Sequence, residues 1–377
     1  MTHIGDGDGI SPVTRGKIKV NAMIKPNENA DADADLNLQD STGGGVKEAI
    51  SRDTMAGKPV YWVPAKSVIN WDSGFKHKLL CDGPTFSTGS ACVYQCAFCF
   101  VPDLMRKSPH VEGIKEKFED VVIRREGALR ALIKQLDSKR GRELADQKLV
   151  IYASPLVDVA ANMDLVRETV QACLLILEKT EWHIRLLSKS NLLPIVAKQL
   201  SQTTLNARAR ERIIYGVSTG TLNDKLAVAF EQGTPFVSKR LQSLHWLQDN
   251  GHRTFGMICP SLPQTNYDRF AEEMMAAIRA DRCEHVWAEV INLRGDSFTR
   301  TIKALGDAGF GPEAALLSEV VFDKRSWEQY ARKTFEAHVR AIVGYDNWPG
   351  KLRFLQYVNK DTRDYWRDRH GMGAVLL

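Results

Sequence analysis

From residue 85 onward, short β-rich runs alternate with segments of helical period, and this alternation limits the fold more than any other feature of the chain. The runs are TFSTGSA (85 to 91), KLVIYAS (148 to 154), HIRLLSKS (183 to 190), RIIYGVST (212 to 219), RTFGMICP (253 to 260) and HVWAEVIN (285 to 292). Between them, REGALRALIKQLDSK (125 to 139), NMDLVRETVQACLLILEKT (162 to 180), FVSKRLQSLHWLQDN (236 to 250) and NYDRFAEEMMAAIRA (266 to 280) read as helices. In the second of these, Val166, Val170, Cys173, Leu174 and Leu177 share one face, as a helix covering a sheet requires. The pattern predicts an α/β fold with right-handed crossovers and a parallel sheet. Six units fit a partial (β/α)6 barrel, and an open doubly wound sheet is the competing arrangement. Either fold places its chemistry at the C-terminal ends of the strands.

Around this body (85 to 295) the chain divides by composition. Residues 1 to 50 include ADADADLNLQDSTGGG, too poor in apolar surface to offset the entropy of ordering, and are expected to form a disordered acidic leader. Residues 51 to 84 regain aromatics and β-branched residues and are expected to pack on the body. Residues 296 to 377 form a mixed extension with a helical stretch at 325 to 343. The first 40 residues carry seven acidic and four basic side chains, so the net charge of +5 leaves the remainder at +8, a balance that tolerates a polyanionic partner without requiring one. The last 27 residues interleave six Lys or Arg with Phe354, Tyr357, Tyr365 and Trp366. That pattern suits a track along a phosphate backbone with base stacking, and equally an amphipathic segment packed on the body. No apolar run approaches the roughly 18 residues of a membrane span, and the N-terminus lacks the basic and apolar parts of a secretory signal, so no membrane partner and a reducing, cytoplasmic setting are expected.

The stretch ACVYQCAFCF (91 to 100) concentrates three of the seven cysteines, Cys92, Cys96 and Cys99, just after the first expected strand. Four roles compete for them. A zinc knuckle needs four converging ligands, whereas only Cys96 and Cys99 have C-x2-C spacing and Cys81 is distant. A redox pair has no use for a third thiol. Buried structural cysteines suit Cys173, but a loop gives three clustered thiols no apolar face to fill. An iron–sulfur cluster on three thiolates leaves one iron open to a small ligand, as catalytic metal sites leave a position vacant.

The spacing C-x3-C-x2-C with Phe98 before the last cysteine resembles the signature of the radical S-adenosylmethionine superfamily. LLSKSNLL (186 to 193), YGVST, EQGTP (231 to 235), KRLQSLHWLQDNG, MICPSLP (257 to 263) and EVINLRG (289 to 295) resemble, in order and spacing, the spore photoproduct lyase family and its relatives described as DNA repair photolyases. The resemblance spans roughly residues 60 to 300. It implies a partial radical S-adenosylmethionine barrel with a 4Fe-4S cluster on Cys92, Cys96 and Cys99. It also implies S-adenosylmethionine held among Phe98, Ser154, Ser188, Lys189 and Ser218, with Lys189 on the carboxylate and Ser218 on a polar edge. A DNA base as substrate and an electron donor of flavodoxin or ferredoxin type follow from the same resemblance. RNA, a peptide or a small metabolite are alternative substrates, and a nucleic-acid-binding protein with a structural metal is the alternative outside enzymes.

The chain also departs from that family. Where the lyase has a hydrogen-donating cysteine at the end of its second strand, this chain reads Ala153 and Ser154, and Phe98 and Phe100 stand where the lyase tends to have tyrosine. The O–H bond of serine is too strong for Ser154 to replace the thiol. Cys259, at the end of the fifth expected strand, is the substitute donor, with Cys81 a weaker candidate. A cycle without such a donor returns hydrogen from 5′-deoxyadenosine or ends in oxidation, so base modification or rearrangement is expected alongside photoproduct-type repair.

Overall fold

Nine strands pair edge to edge in the order in which the chain visits them: β1 (Ile69–Asn70), β2 (Thr85–Phe86), β3 (Val150–Ala153), β4 (His183–Ser188), β5 (Ile213–Ser218), β6 (Arg253–Ser261), β7 (Val286–Val290), β8 (Leu352–Gln356) and β9 (Ala374–Leu376). The structure is a computed structural model and describes residues 51, 53–105, 113–117, 120–153, 155–293 and 295–377; the expected leader (1 to 50) and Ser154 lie outside the described residues. From β2 to β9 every pairing is parallel, and only β1 runs antiparallel to its neighbour. The sheet is open, with β1 and β9 as its edges, so no closed barrel forms. No described helix is long and apolar enough to cross a membrane.

The six expected strands correspond to β2 through β7, and the sheet gains β1, β8 and β9 beyond them. The first expected strand is divided. Thr85–Phe86 stays in the main sheet, whereas Gly89–Ala91 joins a second sheet with Val122–Glu126, Lys58–Pro64 and Asp53–Met55. Gly89 permits the change of sheet, since a Cβ there would sit 2.8 Å from the Ile123 carbonyl oxygen.

Because sheet order equals chain order, right-handed crossovers carry every connecting helix to the same face. These helices include α1 (Met163–Lys179), α3 (Val237–Asp249), α4 (Tyr267–Ala277) and α5 (Lys324–Ile342), close to the spans the periodicity predicts, and α2 (Leu193–Ser201), which it does not; the helix expected over 125 to 139 forms at Ala128–Leu136. Asn162, Asn266 and Asp323 cap α1, α4 and α5 by accepting the N–H of Leu165, Arg269 and Ser326. Alternate strand residues such as Ile151, Ile184, Tyr215, Ile258 and Phe354 pack with Val166, Val170, Leu244 and Met274 of the helices. The residues between them, including Tyr152, Ile214, Phe255, Trp287 and Leu355, form the other face and meet Leu80 and Cys81.

Among the described residues no crossover helix covers that second face, and the segment before β2 plugs its lower half. Arg185 donates to the carbonyls of Leu79 (3.2 Å) and Leu80 (2.6 Å), Arg353 donates to Leu79 (2.8 Å), and the Trp287 indole donates to Lys78 (2.8 Å). Both guanidinium groups flank the Trp287 ring, at 4.8 and 4.7 Å from its centroid. Above the plug lies a cavity of about 990 Å³ lined by strand C-terminal ends.

The C-terminal aromatics divide between core and surface. Phe354 and Trp366 are fully buried and stacked on each other, with centroids 5.9 Å apart, so these two are not available to stack a base. Tyr365 is clamped between the guanidinium groups of Arg332 and Arg369, 3.7 and 3.4 Å from its centroid. Tyr357 alone of the four lines the cavity.

Candidate functional site

The cysteine loop is held in place by its backbone. Gln95–Cys96 pairs antiparallel with Glu231–Gln232, the Ala97 N–H donates to Phe230 (2.8 Å), and Cys99 N–H closes a turn onto Cys96 (3.0 Å). From the helix Ser297–Asp307, Arg300 donates to the carbonyls of Ala97 (3.0 Å) and Cys99 (2.7 Å). Phe98 packs on Phe230 with centroids 5.7 Å apart. Cys92, Cys96 and Cys99 are free thiols, half-buried, and all three line the cavity. Burial pushes their titration up, Cys92 to about 12 with the neighbouring Cys99 adding to the effect, so the bare thiols are protonated and thiolates need a cationic partner.

Cys92, Cys96 and Cys99 line one cavity, a set of three thiols where a structural zinc takes four ligands. A four-iron cluster takes each thiolate on a different iron, and three leave one iron open, so the residues present fit such a cluster.

Beyond the loop stands a buried polar centre. Lys189, immediately after β4, donates from Nζ to Glu231 Oε1 (2.6 Å), Ser218 Oγ (3.0 Å) and the Cys259 carbonyl (3.3 Å), and lies 5.2 Å from the Phe98 ring centroid. Glu231, fully buried, also pairs with Arg240 of α3 at 2.5 Å, and Arg240 in turn donates to Pro235, Ser218 and Thr234. The EQGTP and KRLQSLHWLQDNG phrases are thus two sides of one ion-pair network behind Lys189. Asp158, in the loop after β3, accepts from Ser188 Oγ (2.7 Å) and from the N–H groups of Lys189 (2.8 Å) and Ala160 (2.9 Å). Burial raises Asp158 above the usual carboxylate range in spite of those bonds.

The structure brings Phe98, Ser188, Lys189 and Ser218 to the same cavity as the cysteines. Ser188 has its hydroxyl engaged with Asp158, and Ser218 accepts from Lys189 and donates to the Cys259 carbonyl (3.3 Å). On the far wall Cys259 lines the cavity with its Sγ 3.8 Å from Glu289 Oε2 of β7, and Glu289 pairs with Lys78 at 3.1 Å. Cys81, the weaker donor candidate, is buried among Leu80, Tyr152 and Phe255 and does not line the cavity. The sequence reading does not single out Asp158, Glu231, Arg240, Lys78 or Glu289. For Glu289 a signal existed, because it shares the inward phase of β7 with Trp287 in an otherwise apolar run.

No family model matches the chain, and no curated protein does. Among solved structures, the chain is similar to a spore photoproduct lyase complexed with dinucleoside spore photoproduct, at 13% identity over 65% of this chain and 74% of that one, with a TM-score of 0.45. It is similar to SuiB of Streptococcus suis bound to S-adenosylmethionine, at 11% identity over 59% of this chain and 46% of that one, with a TM-score of 0.38. It is also similar to the radical S-adenosylmethionine methyltransferase TsrM of Kitasatospora setae, at 13% identity over 54% and 35% of the two chains, with a TM-score of 0.35. All three are radical S-adenosylmethionine enzymes, the class whose cysteine signature the loop at 92 to 99 resembles.

Proposed function

We propose that this chain is a radical S-adenosylmethionine enzyme with a partial-barrel active site that acts on a DNA base, modifying or rearranging it or repairing a photoproduct-type lesion. The observation that carries the reading is the cysteine loop: three free thiols within eight residues line one cavity together with the Lys189 and Ser218 centre. Cys92, Cys96 and Cys99 would hold a 4Fe-4S cluster, which with S-adenosylmethionine and an electron from a flavodoxin or ferredoxin would supply a 5′-deoxyadenosyl radical.

The chain's own residues supply position and exclusion of water. Lys189 offers a cation to the carboxylate of S-adenosylmethionine, and Glu231 with Arg240 fixes the height of its ammonium group. Phe98 shields the loop from the cation's other side, Ser188 is locked by Asp158 as part of the wall, and Ser218 presents its hydroxyl between Lys189 and the Cys259 carbonyl. Ser154, next to buried Ala153, completes the expected set from sequence alone. Cys259 lines the cavity, which supports reading it as the thiol that returns hydrogen to a substrate. Phe75, Phe100 and Tyr152 form an aromatic run along the cavity, with neighbouring centroids 6.3 and 5.3 Å apart, and such rings suit a planar base drawn out of a stack.

The test is anaerobic reconstitution with iron and sulfide, followed by assay for 5′-deoxyadenosine with and without DNA. We expect wild type to bind iron and release 5′-deoxyadenosine faster with DNA, and Cys92→Ala, Cys96→Ala and Cys99→Ala each to lose both. Iron-free protein after reconstitution, or cofactor cleavage stimulated only by RNA, a peptide or a metabolite, would refute the cluster or the DNA part respectively.

A further inference from the structure

The wall opposite the cysteine loop holds an ion pair whose placement needs an explanation. Lys78 and Glu289 are 211 residues apart, their Nζ to Oε distances are 3.1 and 3.2 Å, and their side chains are 20% and 11% exposed. Desolvation offsets most of the attraction in a pair this buried, so stability alone does not account for it. Three side chains, buried Arg185 and Trp287 and half-buried Arg353, nevertheless fix the backbone that carries Lys78 by binding the carbonyls of Lys78, Leu79 and Leu80. Leu79 is held there at φ +55°, a left-handed conformation that disfavours a bulky side chain. Strain of this kind persists where the surroundings over-determine it, and it clusters at functional sites. The pair faces Cys259, whose Sγ lies 3.8 Å from Glu289 Oε2, within reach of an S–H···O contact.

We infer that Glu289, anchored by Lys78, is a positioning residue that keeps Cys259 as a neutral thiol and aims its S–H bond. The inference deepens the proposed function and rests on it for its purpose, because a thiol holds a transferable hydrogen atom and a thiolate does not. Lys78 donates to both Glu289 oxygens, and the carboxylate accepts from the Cys259 S–H, so the proton stays on sulfur. The other groups facing Cys259 are Lys189, with Glu231 behind it, and the buried phenols of Tyr152 from β3 and Tyr330 from α5. Burial first and Glu289 second push the thiol up, against the pull of Lys189 and Lys78. Tyr357, whose ring lies 5.5 Å from Lys78 Nζ, closes the outer side of the pair.

The test is the rate of Cys259 alkylation by iodoacetamide in the reduced full chain, followed by peptide mass spectrometry from neutral to alkaline pH. Replacing the carboxylate in Glu289→Gln is expected to speed alkylation roughly threefold at a fixed alkaline pH, the gain in thiolate being partly offset by its lower nucleophilicity. Glu289→Asp, which keeps the charge, should retain most of the wild-type rate. An unchanged rate in a folded Glu289→Gln protein would overturn the inference. Should that variant not fold, the wild-type minus Cys259→Ala infrared difference spectrum decides: a lowered S–H stretch is expected, and a free-thiol frequency overturns the inference. Neither measurement needs cluster or S-adenosylmethionine, so failure here is distinguishable from failure of the radical reading.

Discussion

Replacing Glu231 with Gln tests whether the network behind Lys189 is as tightly coupled as its geometry indicates. Glu231 and Arg240 are both fully buried, and Lys189 is 14% exposed, so the substitution leaves two cations facing a neutral amide. Removing one partner of a buried pair costs about 3–5 kcal/mol. The lower end applies here: Lys189 borders the cavity and gains water, and Arg240 keeps its bonds to Pro235, Ser218 and Thr234. At roughly 2 °C per kcal/mol for a chain of this size, a loss of about 3 kcal/mol lowers the melting temperature by about 6 °C. The assay is thermal unfolding by circular dichroism, with Glu231→Leu/Arg240→Leu measured beside the single variants. The double variant should recover the part of the loss that comes from stranding Arg240, since only Lys189, at the cavity edge, is then left without its carboxylate. A Glu231→Gln protein melting within about 1 °C of wild type, or double-variant losses that simply add, would refute the reasoning.

Three further outcomes are expected. Arg300→Ala removes the clamp on the Ala97 and Cys99 carbonyls, and should lower iron bound after reconstitution and speed proteolysis within residues 92 to 105, with little change in overall stability. Leu79→Gly relieves the left-handed conformation, and should leave stability unchanged or raise it by up to about 1 kcal/mol in urea titrations. His338 in α5 is fully buried, and burial lowers its pKa to about 4 although Nδ1 lies 2.7 Å from the Thr334 carbonyl. The unfolded chain therefore takes up this proton first, and stability falls as pH drops from about 6.5 through 4, with no contribution above that window. The loss is about 3 kcal/mol by linkage, and His338→Leu should flatten acid denaturation curves over that range.

The strands with alternating helices were legible because the rule for a buried parallel strand is local: KLVIYAS and HVWAEVIN declare themselves in seven or eight residues. The strands the sequence reading lacked are those whose pairing is decided elsewhere. Ile69–Asn70 is two residues long, and Ala374–Leu376 has only its position beside Leu352–Gln356 to recommend it. Phe354 and Trp366 left two readings open, and the structure takes the packed one, because an aromatic among arginines reads alike whether it faces a base or a core. In the site, spacing reveals the cysteine trio since its members are adjacent in the chain. The pairing of Lys78 with Glu289 is invisible to any spacing rule, as 211 residues separate them, although the phase of β7 points Glu289 inward; Asp158 acts through backbone N–H groups, which every residue except proline carries.

The identity of sheet order and chain order has a consequence for how the molecule assembles during synthesis. Each new strand from β3 to β9 finds its partner already made, so the sheet can lengthen at one edge as the chain emerges. The segment carrying Lys78 is synthesised before all of them, yet Arg185, Trp287 and Arg353, which grip it, arrive only with β4, β7 and β8. Seating of that segment, and with it the far wall of the cavity, therefore belongs to the end of folding.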